Sequence, residues 1–248
     1  MSERALYDVI AEIYDPWSRS VTEDVSFYVA EARASGGPVV ELAVGTGRIA
    51  VPVAKAGVAV IGVDESPGML DVARAYAERE GVSELVDLRR GDLREPPVPE
   101  RVPLVTCPFR SLLHLADEAE KLRALKAAHD VLRPGGRLVF DVFAPSRDDI
   151  DETHGHWLER EPGIFERADW DEPARTLRLS VRSGESAASF ELHWLDEPEW
   201  RLLLAAAGFE VVALYGWFDR RRFAGGEDMI WVCRRPGGAV VDAPPESE

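Results

Sequence analysis

The sequence predicts an α/β fold built on a doubly wound, mainly parallel sheet. From Gly37 to Phe143, short apolar runs of strand length alternate with stretches of helical pattern. Such alternation implies crossover connections, a parallel sheet and helices on both of its faces. The turn Gly45-Thr46-Gly47 falls where the first apolar run gives way to a helix, and open α/β sheets bind their ligands at such strand ends.

The elements follow in order along the chain. PVVELA (38–43) reads as a strand and GRIAVPVAKAG (47–57) as a helix ending at Gly57, with Pro52 expected to cost stability or kink it. VAVIGV (58–63) is a second strand. The helix over 66–81 opens with Ser66 placed to cap and Pro67 at the first helical position. VDLRRG (86–91) and RVPLVTC (101–107) read as strands, 117–132 as an amphipathic helix stopped by Pro134-Gly135-Gly136, and RLVFDVF (137–143) as a fifth strand. The repeat then breaks: residues 144–190 carry Trp157, Phe165 and Trp170 among many charges, and 176–182 and 188–195 look like antiparallel strands. A helix over 197–208, a strand over 209–218 and a closing strand over 228–235 follow, and the Pro/Gly-rich acidic tail reads as disordered.

Composition narrows the function. The chain has 248 residues, 46% of them apolar, which suits one large domain or a domain with an insertion. No run approaches the roughly 20 apolar residues of a membrane helix, and the charged N-terminus does not read as a secretory signal, so a cytoplasmic protein is expected. A net charge of −16 argues against a nucleic-acid or anionic-membrane surface, because phosphate binding needs clustered positive charge. Cys107 and Cys233 lie in apolar contexts; neither a disulfide framework nor a metal site is expected, and Cys107 reads as a buried strand residue.

Three ligand-facing features sit at successive strand ends. The segment Glu41–Gly47 closes the first strand. Asp64 lies 19 residues past Gly45 at the end of the second, where a carboxylate can accept hydrogen bonds from both hydroxyls of a ribose. Asp92 follows the third strand, placed to reach an adenine edge. Glu41–Gly47 resembles the first motif of class I S-adenosylmethionine-dependent methyltransferases, an acidic residue followed by G-x-G-x-G, with Ala43 in place of the first glycine. VIGVDESPGML resembles the second motif, RRGDL the third and LRPGGRLVF the approach to the fifth strand. The resemblance covers roughly Tyr7 to Arg234.

That resemblance implies a Rossmann-like seven-stranded sheet whose last strand, IWVCRR, is antiparallel, with an antiparallel β insertion as a lid. It divides the chain into N-terminal lid helices (1–36), a cofactor-binding core (37–143), a β-rich substrate lid (144–196), the completion of the core sheet (197–235) and the tail (236–248). It gives S-adenosylmethionine as cofactor. Glu41, Ala43, Gly45 and Gly47 would take its amino-acid moiety, Asp64 its ribose, and Met69, Asp92 and Leu93 its adenine. The competing reading is an NAD(P)-dependent oxidoreductase, since Gly45 to Ala50 also satisfies G-x-G-x-x-A with Asp64 as its acidic partner. Glu41, the Gly91-Asp92-Leu93 turn and the C-terminal closing strands favour the methyltransferase.

The acceptor is expected to be a small molecule methylated on N or O, and the protein a monomer or homodimer. Two residues are candidates for the chemistry: Tyr14, in a segment resembling the lid helix of small-molecule methyltransferases, and His114, just beyond the fourth strand. Either has a plain alternative, a packing tyrosine or a structural histidine. Arg110, Trp157, Trp170, His193 and Trp217 are candidate acceptor contacts, Arg110 and the Arg220–Arg222 run for an acidic acceptor. The end of the chain resembles that of amino-sugar N-methyltransferases.

Overall fold

A computed structural model describes residues 22–237. Its central sheet has seven strands: β1 (Val39–Leu42), β2 (Val60–Asp64), β3 (Val86–Arg90), β4 (Val102–Cys107), β5 (Leu132–Phe143), β10 (Glu210–Tyr215) and β11 (Asp228–Arg234). They run in the order β10-β11-β5-β4-β1-β2-β3. β1 pairs in parallel with β2 and β4, as do β2 with β3 and β4 with β5. β11 lies antiparallel to both β5 and β10, so the expected antiparallel closing strand is present.

Each strand alternates its side chains between two cores. On one face Val39, Leu104, Val139 and Ile230 pack with Phe27, Tyr28 and Ala32 of helix α1 (Glu23–Ser35), with α2 (Ala50–Lys55) and with Leu70 of α3 (Pro67–Arg79). On the other, Val40, Val105, Phe140 and Trp231 meet α4 (Glu118–Val131) and α6 (Glu197–Ala206). The chain order places β1's C-terminal end at the centre of the sheet, where the crossovers change direction, so a crevice forms above it.

Local chemistry fixes the helix starts. The Ser66 hydroxyl accepts the Met69 N–H at 3.1 Å with Pro67 at the first helical position. The Asp117 carboxylate accepts the Glu120 N–H at 2.8 Å. Helix α2 runs from Ala50, so Pro52 sits in its first turn, where the fixed φ of proline is tolerated. β5 also begins earlier than expected, at Leu132, and takes Pro134-Gly135-Gly136 into the strand, with a register shift against β4 between Val102 and Leu104.

The segment after β5 is a separate four-stranded antiparallel sheet, preceded by helix α5 (Arg147–Thr153). Its strands β6 (Trp157–Glu161), β7 (Ile164–Asp171), β8 (Thr176–Ser183) and β9 (Ser186–His193) pair in chain order. β8 and β9 match the sequence expectation; α5, β6 and β7 extend it. No helix among the described residues is long and apolar enough to cross a membrane.

Both cysteines are buried and free, Cys107 in β4 and Cys233 in β11, and burial pushes both thiols far above the usual range. Neither should react with a thiol reagent such as dithionitrobenzoate in the native protein, and both should react after unfolding. Rapid labelling of Cys107 without denaturant would contradict its place in the core.

Candidate active site

A cavity of about 670 Å³ lies over the C-terminal ends of β1, β2, β4 and β5 and beneath the four-stranded sheet, within the range of roughly 300–1,000 Å³ common for ligand sites. At one end the lining comes from the turns after β1, β2 and β3: Ala43, Gly45, Asp64, Met69, Asp92 and Leu93.

Asp64 organises this end. Its Oδ2 accepts the Gly45 N–H and its Oδ1 the Ser66 N–H, both at 2.9 Å. One carboxylate thus fixes the glycine turn and the approach to α3. Gly45 has φ +55°, and a Cβ added there would meet nothing within 4 Å, so the backbone is open to a ligand. Ala43 adopts φ +55° as well, a conformation that costs an L-residue about 1–2 kcal/mol. Asp92 accepts the Arg94 side chain at 2.6–3.0 Å, and this guanidinium holds its carboxyl below the usual range. Arg94 also reaches Glu120 at 2.5 Å.

Two expected cofactor contacts lie elsewhere. Glu41 is buried and does not line the cavity. Side chains alternate along β1, and Glu41 faces Arg48 and the Ala50 backbone N–H instead. Gly47 does not line it either: at φ +82° its added Cβ would sit 3.3 Å from both Ala73 and Val51. Gly47 serves the close approach of α3 to the start of α2.

Above the centre of the cavity, Asp141 near the end of β5 gathers three donors. Its Oδ1 accepts the Tyr28 hydroxyl at 2.6 Å and the Phe109 N–H at 2.9 Å; its Oδ2 accepts the Arg110 N–H at 3.1 Å. Burial raises its carboxyl to about 6, against the lowering effect of those donors. Phe109 and Arg110 have φ of +56° and +62°, so the turn after β4 is strained and the carboxylate holds it. Arg48 lies 4.7 Å over the Phe109 ring and forms a two-pronged ion pair with Asp24 of α1 at 2.6 and 2.8 Å. Sequence reasoning missed Asp24, Tyr28 and Asp141, because a charged or polar group at a core position carries no periodic signal.

His114 lines the cavity in the 3-10 turn Ser111–His114, its ring 5.2 Å from that of Phe190 on β9. Burial, with His193 and Lys121 nearby, lowers it to about 4, so the imidazole is neutral at ordinary pH. The buried Lys121 ammonium of α4 donates to the Leu115 carbonyl and fixes this turn.

Arg110, Trp170 and Trp217 line the cavity; Trp157 and His193 do not. Register explains the difference. Trp157 pairs with Arg167 and His193 with Thr176, which belong to the face of the lid sheet opposite that of Ala168 and Leu177. There Arg182 lies 4.1 Å over the Trp157 ring. Arg110 donates to Asp228 at 3.1 Å. Arg220 pairs with the buried Glu31 at 2.5 Å and lies outside the cavity. Tyr14 lies outside the described residues. No His, Cys, Asp or Glu cluster with metal-binding geometry occurs among the described residues.

Residues 39–136 match the family model described as a methyltransferase domain. That segment is a methyltransferase domain, and nearly the whole chain, 97% of it, is similar at 28% identity to a probable S-adenosylmethionine-dependent methyltransferase of Mycolicibacterium smegmatis. The chain is 30% identical over 136 residues to a putative methyltransferase of Geobacillus sp. (strain WCH70), a match covering 55% of this chain and 53% of that one. It is 25% identical to the cypemycin N-terminal methyltransferase of Streptomyces sp, over 95% of this chain and all of that one. The solved CcbJ methyltransferase from Streptomyces caelestis superimposes with a TM-score of 0.81 at 27% identity, covering 96% of this chain and 100% of that one. The nicotinamide-dependent alternative falls with this assignment, and S-adenosylmethionine is the cofactor of this methyltransferase family.

Glu41 provides a pH test of the folded site. Burial raises its carboxyl from an ordinary 4.5 to about 8. Between those values the native state keeps a proton that the unfolded chain has released, so the Glu41 contribution makes stability fall as pH rises. Glu41→Gln should flatten that dependence. Its stability relative to the parent, from urea unfolding, should improve steadily from pH 5 to 8; a constant difference would show Glu41 ionised throughout.

Proposed function

We propose that this protein transfers a methyl group from S-adenosylmethionine to the nitrogen of a small-molecule amine. The observation that carries the reading is the charge of the cavity wall. Eleven carboxylate residues and only three arginines line it. Each arginine is already paired with one of those acids: Arg94 with Asp92 and Glu120, Arg110 with Asp228, Arg160 with Glu166. Such a site attracts cations and repels an anionic acceptor, which argues against the acidic acceptor suggested by the arginines in the sequence. A sulfonium donor and an ammonium-forming acceptor both suit it. The cypemycin N-terminal methyltransferase among the relatives acts, by its name, at the N-terminus of cypemycin, where a free chain end carries an amine.

The donor set at the glycine turn fits the cofactor. Asp64 would hold the ribose hydroxyls, Ala43 and Gly45 would border the amino-acid moiety, and Met69, Asp92 and Leu93 would frame the adenine. When bound, the cofactor supplies an electrophilic methyl group for in-line displacement, and the chain positions the nucleophile and excludes water. The neutral His114 is a weak base; its role is to orient the acceptor by a hydrogen bond. Cavity carboxylates such as Asp228 stabilise the cationic amine. Tyr14 is a second candidate for the acceptor end.

Titration calorimetry tests the cofactor half. S-adenosylhomocysteine should bind and NAD should not. Asp64→Ala should weaken S-adenosylhomocysteine by about 1–3 kcal/mol, the cost of leaving hydroxyls poorly paired. NAD binding without S-adenosylhomocysteine binding would sink the reading. For the acceptor half, a panel of amines and phenols is presented with S-adenosylmethionine. Amines should be methylated and phenols not, and His114→Ala should lower turnover tenfold to roughly a thousandfold with S-adenosylhomocysteine affinity unchanged.

A further inference from the structure

The lid sheet does more than cover the cavity. β7, β8 and β9 pair so that Trp170, Leu177 and Leu192 form one inward row and Ala168, Leu179 and Phe190 the next. All six side chains line the cavity. In the following row Glu166 is paired in register with Val181 and ion-paired with Arg160 at 2.9 Å. This third row brings a single charge, Glu166, beside the apolar Val181 and Ala188.

Ala168 is the smallest member of its row, in register with Leu179, which is in turn in register with Phe190. Across the cavity this recess meets the His114 ring, against Phe190, and Phe143, whose ring centroid is 6.0 Å from that of Trp170. An apolar recess offers water too few hydrogen-bonding partners to hold it firmly. It rewards burial of an apolar group, whereas a hydroxyl placed there would lose its partners.

We infer that the recess over Ala168 is a subsite for an alkyl or aryl group of the acceptor, and that Ala168 sets the size of group admitted. The inference rests on the proposed methyl transfer to an amine. It separates this site from one built for a polyhydroxylated amine: the substrate class is an amine with an apolar body, its nitrogen toward the cofactor end and its body against the lid.

The test uses the full chain saturated with S-adenosylhomocysteine and calorimetry with four amines: ethylamine, cyclohexylamine, 2-phenylethylamine and D-glucosamine. Affinity should rise about tenfold or more from ethylamine to 2-phenylethylamine, with glucosamine no tighter than ethylamine. Ala168→Leu should abolish the gain for 2-phenylethylamine and leave S-adenosylhomocysteine and ethylamine unchanged. Leu177→Ala, which enlarges the same face, should instead favour 2-(1-naphthyl)ethylamine over 2-phenylethylamine, and keeps the inference testable if the leucine variant fails to fold. Equal affinities across the series, tighter binding of glucosamine, or no amine binding to the loaded protein would overturn the subsite. Failure to bind S-adenosylhomocysteine would instead overturn the reading on which it rests.

Discussion

The Asp141 carboxylate joins three parts of the molecule that are remote in sequence. It stands near the end of β5 and takes hydrogen bonds from Tyr28 on α1 and from the backbone of Phe109 and Arg110 after β4. Two consecutive residues with left-handed φ cost about 1–2 kcal/mol each, and they persist because the carboxylate over-determines the turn. The same turn leads directly into His114. The position of the acceptor end relative to the glycine turn is therefore set by a buried anion rather than by apolar packing alone.

A buried anion needs donors, and the donors here are shared economically among several acids. Helix α1 places Asp24, Tyr28 and Glu31 on its buried face, together with Phe27 and Ala32. Asp24 meets Arg48, and Glu31 meets Arg137 and Arg220. Arg48 also lies near the buried Glu41 and over the Phe109 ring. One guanidinium thus ties the turn after β1 to α1 and to the turn after β4. Arginine suits the task because its planar fork serves a carboxylate in-plane and an aromatic face out of plane. Removing one partner from such an arrangement leaves a buried charge exposed to its full desolvation cost.

Much of this was legible in the sequence, and the exceptions have physical reasons. The alternation of strands and helices from Val39 to Phe143 and the cap at Ser66 are local signals, and they are present as expected. Asp64, Met69, Asp92 and Leu93 line the cavity, a placement the strand ends made legible because open α/β sheets form their crevice there. Helix α1 was blurred because the residues it buries include two acids, which cancel the apolar contrast that marks an amphipathic helix. Trp157 and His193 were assigned to the cavity by residue type, but only the register of β6 and β9 tells which face of a sheet a side chain takes, and a shift of one residue reverses it. Glu41 and Gly47 match a motif, yet here each of them supports the turn from behind. A motif gives the segment that binds; the pleat and the helix packing decide which of its side chains face the ligand.

The two ends of the cavity solve the problem of pre-organisation differently. At the glycine turn the backbone is fixed by Asp64, whose oxygens accept the Gly45 and Ser66 N–H groups, while Ser66 accepts that of Met69. A single chain of hydrogen bonds sets the strand end, the turn and the first turn of α3, so little ordering remains to be done when a ligand arrives. At the lid end the inner rows are apolar and make few directional bonds. Shape and volume, rather than hydrogen-bond geometry, are the means by which that wall can discriminate, and one methylene there is worth only about 1–3 kcal/mol. On the proposed reading, discrimination among acceptors is graded, whereas recognition at the glycine turn, built from fixed polar groups, is steep. A fold of this kind can keep the glycine turn constant and change its acceptor by altering the side chains of two rows in a peripheral sheet.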